Sequence, residues 1–196
     1  MMISEKPDES LKMLKKAIEK GSVPAMFTYA SYLSEGRFPS SLSVDKNDIF
    51  KYMKLAADNN FKEAVIKCAD MLHDGKFCEK NLKDSLVYYK KAADLFNIPS
   101  AQYIYGEALL TGCDGLIEIN QKVGASYVKK AADQKFSNAI QKLGVLYRDG
   151  IGLEKNDEKA FQCFKKAADL NVVESINNCA VYLFTGKGVK KDQKEA

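Results

Sequence analysis

The chain has 196 residues, 46% of them apolar and 29% charged, the balance of an ordinary soluble protein with a buried core. Thirty basic against 26 acidic residues leave a formal charge of +4, too small and too evenly scattered to imply a nucleic-acid-binding face. Five cysteines, an odd number with no Cys-x-x-Cys spacing, and a single histidine, His73, argue against a Cys/His zinc site and for free thiols in a reducing compartment.

Met1 to Glu9 carries charges and a proline but no apolar segment, so it does not read as a signal peptide. No apolar run approaches the roughly 18 residues that suggest a membrane span. No Asn-x-Ser/Thr pattern occurs. A cytoplasmic location with no direct membrane insertion is the expectation.

In chain order, Glu9 to Glu19 has the look of a second helix without its first. Ala25 to Glu35 and Asn47 to Asp58 form a helical pair. Arg37 to Lys46, with Phe38-Pro39-Ser40-Ser41, makes a longer connection between them. Ala64 to His73 pairs with Asn81 to Asp94, and Ala101 to Leu110 with Asn120 to Asp133. Gly112-Cys113-Asp114-Gly115 reads as a helix stop and loop. In Ser137 to Arg148, the apolar positions Ala139, Leu143, Leu146 and Tyr147 fall on one helical face, and Gly150 closes the helix. Asn156 or Asp157 caps the next helix, whose buried stripe is Ala160, Phe161, Phe164, Ala167 and Ala168. Ser175 to Phe184 is a further first helix, whose partner would begin at Asp192 to Ala196.

Two landmarks recur together. The words Ala56-Ala57-Asp58, Ala92-Ala93-Asp94, Ala131-Ala132-Asp133 and Ala167-Ala168-Asp169 are spaced 36, 39 and 36 residues apart. Gly36, Gly75, Gly112, Gly150 and Gly186 keep the same rhythm, with steps of 39, 37, 38 and 36. A shared period of this length is the signature of a helical solenoid, in which each repeat buries its apolar side against its neighbours. The expected architecture is all-α, an alpha-alpha superhelix built as one domain over residues 1–196. It has about five repeats with partial ones at both ends, as in a window from a longer array; the alternative is a short array with a degenerate capping helix.

Small residues hold fixed registers. Ala30, Ala69, Gly106, Gly144 and Ala180 form one, and Ala25, Ala64, Ala101, Ala139 and Ser175 another. They permit close approach of the two helices. Gly124 replaces an alanine of the other repeats and is expected to be merely tolerated. The Lys-Lys pairs, such as Lys90-Lys91 and Lys129-Lys130, sit near helix C-termini and suit the helix dipole there.

The pattern Ala139-x-x-x-Leu143-Gly144-x-x-Tyr147-x-x-Gly150, then Ala160-x-x-x-Phe164-x-Lys166-Ala167-Ala168, resembles the Sel-1-like repeat, a relative of the tetratricopeptide repeat. The resemblance covers residues 9 to 196. It implies a right-handed solenoid of Sel-1-like, TPR-like helix hairpins, with first helices lining the concave side. It also implies a non-catalytic scaffold or adaptor that binds a protein or peptide partner. The alternative is an interaction module of a larger protein that carries an enzyme domain or membrane anchor elsewhere. Some secreted members tie the two helices of each repeat by a disulfide. Here Cys68 and Cys78 share a repeat, but Cys113, Cys163 and Cys179 lack comparable partners.

Carried onto this chain, the concave positions nominate Asn138, Gln141, Arg148 and Asn177 as hydrogen-bonding groups for an extended peptide. Phe27 and Tyr103 are aromatic anchors, and Val145 and Val181 are apolar positions between the polar ones. Glu63, Asp70, Glu107 and Glu174 in the same columns favour a basic or neutral segment. No nucleotide loop, nucleophile elbow or His-Glu-x-x-His motif is present. Cys68 and His73 are five residues apart and fall on different faces of a helix. No catalytic residue, metal, cofactor or small-molecule substrate is therefore expected.

Overall fold

The computed structural model describes residues 7–38, 45 and 47–188. Most of the connection expected over Arg37–Lys46, and the helix start expected at Asp192–Ala196, lie outside these residues. The described part contains ten α-helices, a single 3₁₀ turn and no strand. The helices are α1 (Pro7–Glu19), α2 (Val23–Ser34), α3 (Asn47–Asp58), α4 (Lys62–Asp74), α5 (Leu82–Phe96), α6 (Pro99–Thr111), α7 (Gln121–Asp133), α8 (Ser137–Asp149), α9 (Asp157–Asp169) and α10 (Val173–Thr185). The 3₁₀ turn, Cys113–Gly115, follows Gly112, which caps α6 in the left-handed region.

The chain divides into two compact units, Met1–Ala92 and Ala93–Ala196. In the first, successive helices α1 to α4 pack pairwise. Tyr29, Ile49, Met53, Val65 and Cys68 are its largest fully buried side chains. In the second, α6 packs on α7, α7 on α8, α8 on α9 and α9 on α10. One core there joins Val128, Ala131, Ala139, Leu143 and Leu146. Another joins Ala160, Phe164 and Tyr182.

First helices α4, α6 and α10 begin two residues earlier than hydrophobic periodicity suggests, whereas α8 begins at Ser137 as expected. The expected starts at Ala64, Ala101 and Ser175 become Lys62, Pro99 and Val173. A repeated turn explains the difference. Gly21, Asn60, Asn97, Lys135 and Asn171 each adopt positive φ, and the next residue takes an extended backbone and caps the following helix. At Phe61, Ile98, Phe136 and Val172 that cap makes no side-chain hydrogen bond. Instead, the amides of Phe61, Phe136 and Val172 donate to Ala56, Ala131 and Ala167 at 3.0, 3.2 and 3.0 Å. These bonds close the preceding helix. Within the hairpins, Asn156 is the cap of the two residues offered for α9, and Asn81 and Asn120 cap in the same way: the side-chain oxygens of Asn81, Asn120 and Asn156 accept from the amides of Asp84, Val123 and Lys159.

Close approach of the paired helices is direct. A Cβ added at Gly106 would stand 3.0 Å from the Gly124 carbonyl oxygen, and one at Gly124 would stand 2.9 Å from that of Gly106. Gly124 is therefore not simply tolerated. It is the partner surface of Gly106, and the backbones of α6 and α7 touch there. Beside Gly144 the space is taken by the Phe164 ring, whose Cε1 would lie 2.6 Å from an added Cβ.

One buried polar network went unread in the sequence. The Gln102 amide is almost fully enclosed. It donates to Asn97 Oδ1 at 2.6 Å and accepts from Gln134 Nε2 at 2.8 Å. The network ties the turn before α6 to the end of α7 and satisfies a group that would be costly to bury alone.

Candidate interaction surface

The first-helix face is partly knitted together by its own residues. Phe27 of α2 packs against Phe61, with ring centroids 4.9 Å apart, and Lys67 Nζ lies 5.1 Å from its centroid. Tyr103 of α6 packs in the same register against Phe136, at 5.6 Å. Burial, followed by the Glu107 carboxylate, pushes its phenol up. Both aromatic anchors expected from the sequence are thus half-buried supports of the turn that starts the next first helix.

Lysines bridge successive first helices. Lys67 Nζ donates to Ser31 Oγ at 3.4 Å. The equivalent Lys142 Nζ lies 3.0 Å from Glu107 Oε1 and donates to Oε2 at 3.2 Å. Of the four acids in the expected columns, Glu107 is engaged by this pair and Asp70 accepts the Tyr89 hydroxyl at 2.8 Å. Glu63 and Glu174 are exposed.

Asn138 and Asn177 are exposed and Gln141 is half-buried. Gln141 and Asn177 occupy the same register on α8 and α10, so the two amides repeat along the array. Arg148 holds its neighbour Asp149 in a two-pronged pair, Nε to Oδ1 at 2.7 Å and Nη2 to Oδ2 at 2.8 Å. The pair pulls the Asp149 carboxyl down. Val181 is half-exposed. Val145 packs against the Phe164 and Tyr182 cluster, so it serves the core as well as the face.

The second-helix side carries an arrangement that sequence reasoning missed. Asp58, the last residue of the first Ala-Ala-Asp word, receives Lys54 Nζ on Oδ2 at 2.7 Å and the Tyr88 hydroxyl on Oδ1 at 2.5 Å. Burial pushes the Asp58 carboxyl up, but these two bonds outweigh it and hold the group below its usual range. Asp94 receives the Tyr127 hydroxyl at 2.6 Å. Lys91 Nζ donates to the Ala57 carbonyl at 2.7 Å, so this lysine caps the second helix of the preceding repeat rather than its own. The signal was present: Tyr52, Tyr88 and Tyr127 each stand six residues before the word's Asp.

None of the five cysteines forms a disulfide; Cys68 is buried and the others are half-buried. Burial pushes the Cys68 thiol up to about 12 and also raises that of Cys163. His73 Nδ1 sits 2.8 Å from Asp74 Oδ1 at the end of α4. Among the described residues, no three His, Cys, Asp or Glu side chains group to hold a metal, and no helix is long and apolar enough to cross a membrane.

The model of the Sel1 repeat matches six segments, residues 2–22, 24–61, 62–95, 99–136, 137–172 and 173–196. The chain belongs to the Sel1 repeat family. The four middle segments coincide with α2–α3, α4–α5, α6–α7 and α8–α9. A protective antigen of uropathogenic Escherichia coli strains that displays this repeat fold superposes with a TM-score of 0.78 at 23% identity, over 92% of this chain and 38% of that one. A Sel1 repeat protein from Oxalobacter formigenes gives 0.78 at 22% identity, over 100% of this chain and 55% of that one. The fold class is an all-helical solenoid of Sel1 hairpins, and the chain spans about half the length, or less, of these two proteins. Sel1 repeats are in general protein-interaction modules.

Proposed function

We propose that this Sel1 chain is a non-catalytic scaffold that grips an extended segment of a partner protein on its first-helix face, in the cytoplasm and without a cofactor. The observation that carries the reading is a register of surface amides, Asn177 exposed and Gln141 half-buried. Gln141 and Asn177 repeat from one first helix to the next, with Asn138 and Arg148 a turn or two away on α8 and Val181 beside Asn177 on α10. An extended chain presents main-chain donors and acceptors at regular intervals, and amides can serve both. Exposed Glu63 and Glu174 suit a segment of basic or neutral character. Phe27 and Tyr103, half-buried in tilted contacts with Phe61 and Phe136, offer what remains of their ring surface.

The test replaces Asn138, Arg148 and Asn177 by alanine together. Helicity should hold, because substitutions at exposed Asn138 and Asn177 usually change stability by under about 0.5 kcal/mol each, and loss of the Arg148–Asp149 pair adds at most about 1 kcal/mol. Affinity for a partner identified by crosslinking should fall at least about tenfold, or roughly 1.4 kcal/mol. An unaltered affinity in the folded triple variant removes this face from the reading.

A further inference from the structure

The tyrosine ladder on the second-helix side has a missing rung. Tyr88 bonds to Asp58, and Tyr127 bonds to Asp94, each tyrosine standing six residues before the Asp of its own word. The same position in α9 is Cys163. A thiol cannot span the distance that a phenol ring spans. Asp133 accordingly receives Lys129 Nζ on Oδ2 at 2.8 Å, as Asp58 receives Lys54, but no hydroxyl reaches its Oδ1 among the described residues.

A cavity of about 460 Å³ lies at this place, lined by Asp133, Ile140, Leu143, Cys163, Lys166 and Leu170 among others. Ile140 and Leu143 face the side of α8 opposite Asn138 and Gln141, at about 100° per residue. The cavity is therefore separate from the face proposed above. Its walls are largely apolar, Asp133 and Asp169 are its carboxylates, and one and two repeats earlier the chain's own Tyr127 and Tyr88 stand in the Cys163 register against an Asp.

We propose that this groove is a receptor for a tyrosine side chain presented by a partner polypeptide, with the ring over Cys163 and between Ile140 and Leu143, and its hydroxyl donating to Asp133. The ligand class follows from the protein's internal template: the neighbouring repeats place a phenol against an Asp in the same register. The groove is wider than one ring, and exposed Lys166, Asp169 and Leu170 stand at its rim. An occupant with polar main chain on either side of its ring, as in a polypeptide, uses that rim. A free phenol does not.

The experiment titrates N-acetyl-tyrosinamide, N-acetyl-phenylalaninamide and p-cresol into isotope-labelled protein and follows amide chemical shifts. Saturable shifts confined to residues 132–143 and 163–170 are expected with the tyrosine probe. The phenylalanine probe should bind about tenfold more weakly, since a bond to a charged acceptor is lost. Cys163→Tyr should refill the rung, raise the melting temperature and abolish the shifts. Asp133→Ala should bring the tyrosine probe down to the affinity of the phenylalanine probe, and it decides the matter even if the tyrosine variant does not fold. Equal affinity for the tyrosine and phenylalanine probes, undiminished binding in a folded Cys163→Tyr variant, or no saturable shift at these amides overturns the proposal. p-Cresol binding as tightly as the tyrosine probe overturns the polypeptide occupant.

Discussion

The hairpins α6–α7 and α8–α9 solve one packing problem in two ways. Both place glycine in the same first-helix register. In α6–α7 the glycine meets another glycine, and the two main chains touch at Gly106 and Gly124. In α8–α9 the facing residue is Ala160, and the fully buried Phe164 ring fills the space beside Gly144. A small residue in this register therefore has no fixed meaning. What it permits depends on whether its neighbour is a main chain or a ring.

The comparison breaks most easily at Gly144. Replacement by leucine must displace the Phe164 ring from a closed core, and is expected to lower stability by about 1–3 kcal/mol in urea unfolding. An unchanged midpoint would mean that the ring moves aside freely. Gly124→Ala sharpens the contrast through its sign. Helix propensity alone predicts a gain of about 1 kcal/mol, whereas contact with the Gly106 carbonyl and Leu110 predicts a net loss of about 1 kcal/mol. Calorimetric melting separates the two.

The hairpins also differ in how the second helix is tied to the repeat before it. Tyr127 of α7 donates to Asp94, while α9 offers only Cys163. The pH signature of such a tie is readable at the equivalent Tyr88–Asp58 pair, where Tyr88→Phe should cost about 1 kcal/mol at neutral pH. The Asp58 carboxyl is held below its ordinary value. Its contribution is therefore fully present above about pH 4, the unfolded carboxylate range, and is lost as pH falls through the lower folded value. The deficit of the Phe variant should shrink over that acidic window, which chemical denaturation at stepped pH measures. A deficit constant from neutral to strongly acid pH would show that the hydroxyl does not act through the carboxylate.

The smallest effect concerns the turns that follow these hairpins. Lys135 and Asn171 both sit near φ 60°, at 63° and 62°, a region that asparagine tolerates better than lysine. Lys135→Asn should stabilise by about 0.5 kcal/mol, seen as a small rise in melting temperature. No rise would mean that local contacts of the lysine offset the backbone gain.

Much of this architecture was legible because the repeat writes each element several times. The paired helices, the glycine stops and the small registers all followed from spacing. The starts of α4, α6 and α10 were placed two residues late, because Phe61, Ile98 and Val172 cap without a side-chain hydrogen bond and the usual polar cap residues are absent. The Gly106–Gly124 contact was missed because it joins two registers that looked independent when read separately. The aromatic anchors Phe27 and Tyr103 are on the expected helices. What spacing could not show is that Phe61 and Phe136, just past the next turn, lie against them. Tyr88 and Tyr127 were visible as recurrent letters, but their partners lie 30 and 33 residues back, beyond the reach of a local pattern.

That backward direction has a consequence for synthesis. Asp58 meets its phenol at Tyr88, and the last carbonyls of α3 meet an ammonium at Lys91, only when the following second helix has formed. On the ribosome, a finished hairpin would therefore wait for the next one to emerge before its final bonds close. At Asp58 and Asp94 a repeat thus leaves an edge that its successor seals, and over these repeats assembly acquires a direction from the amino terminus onward.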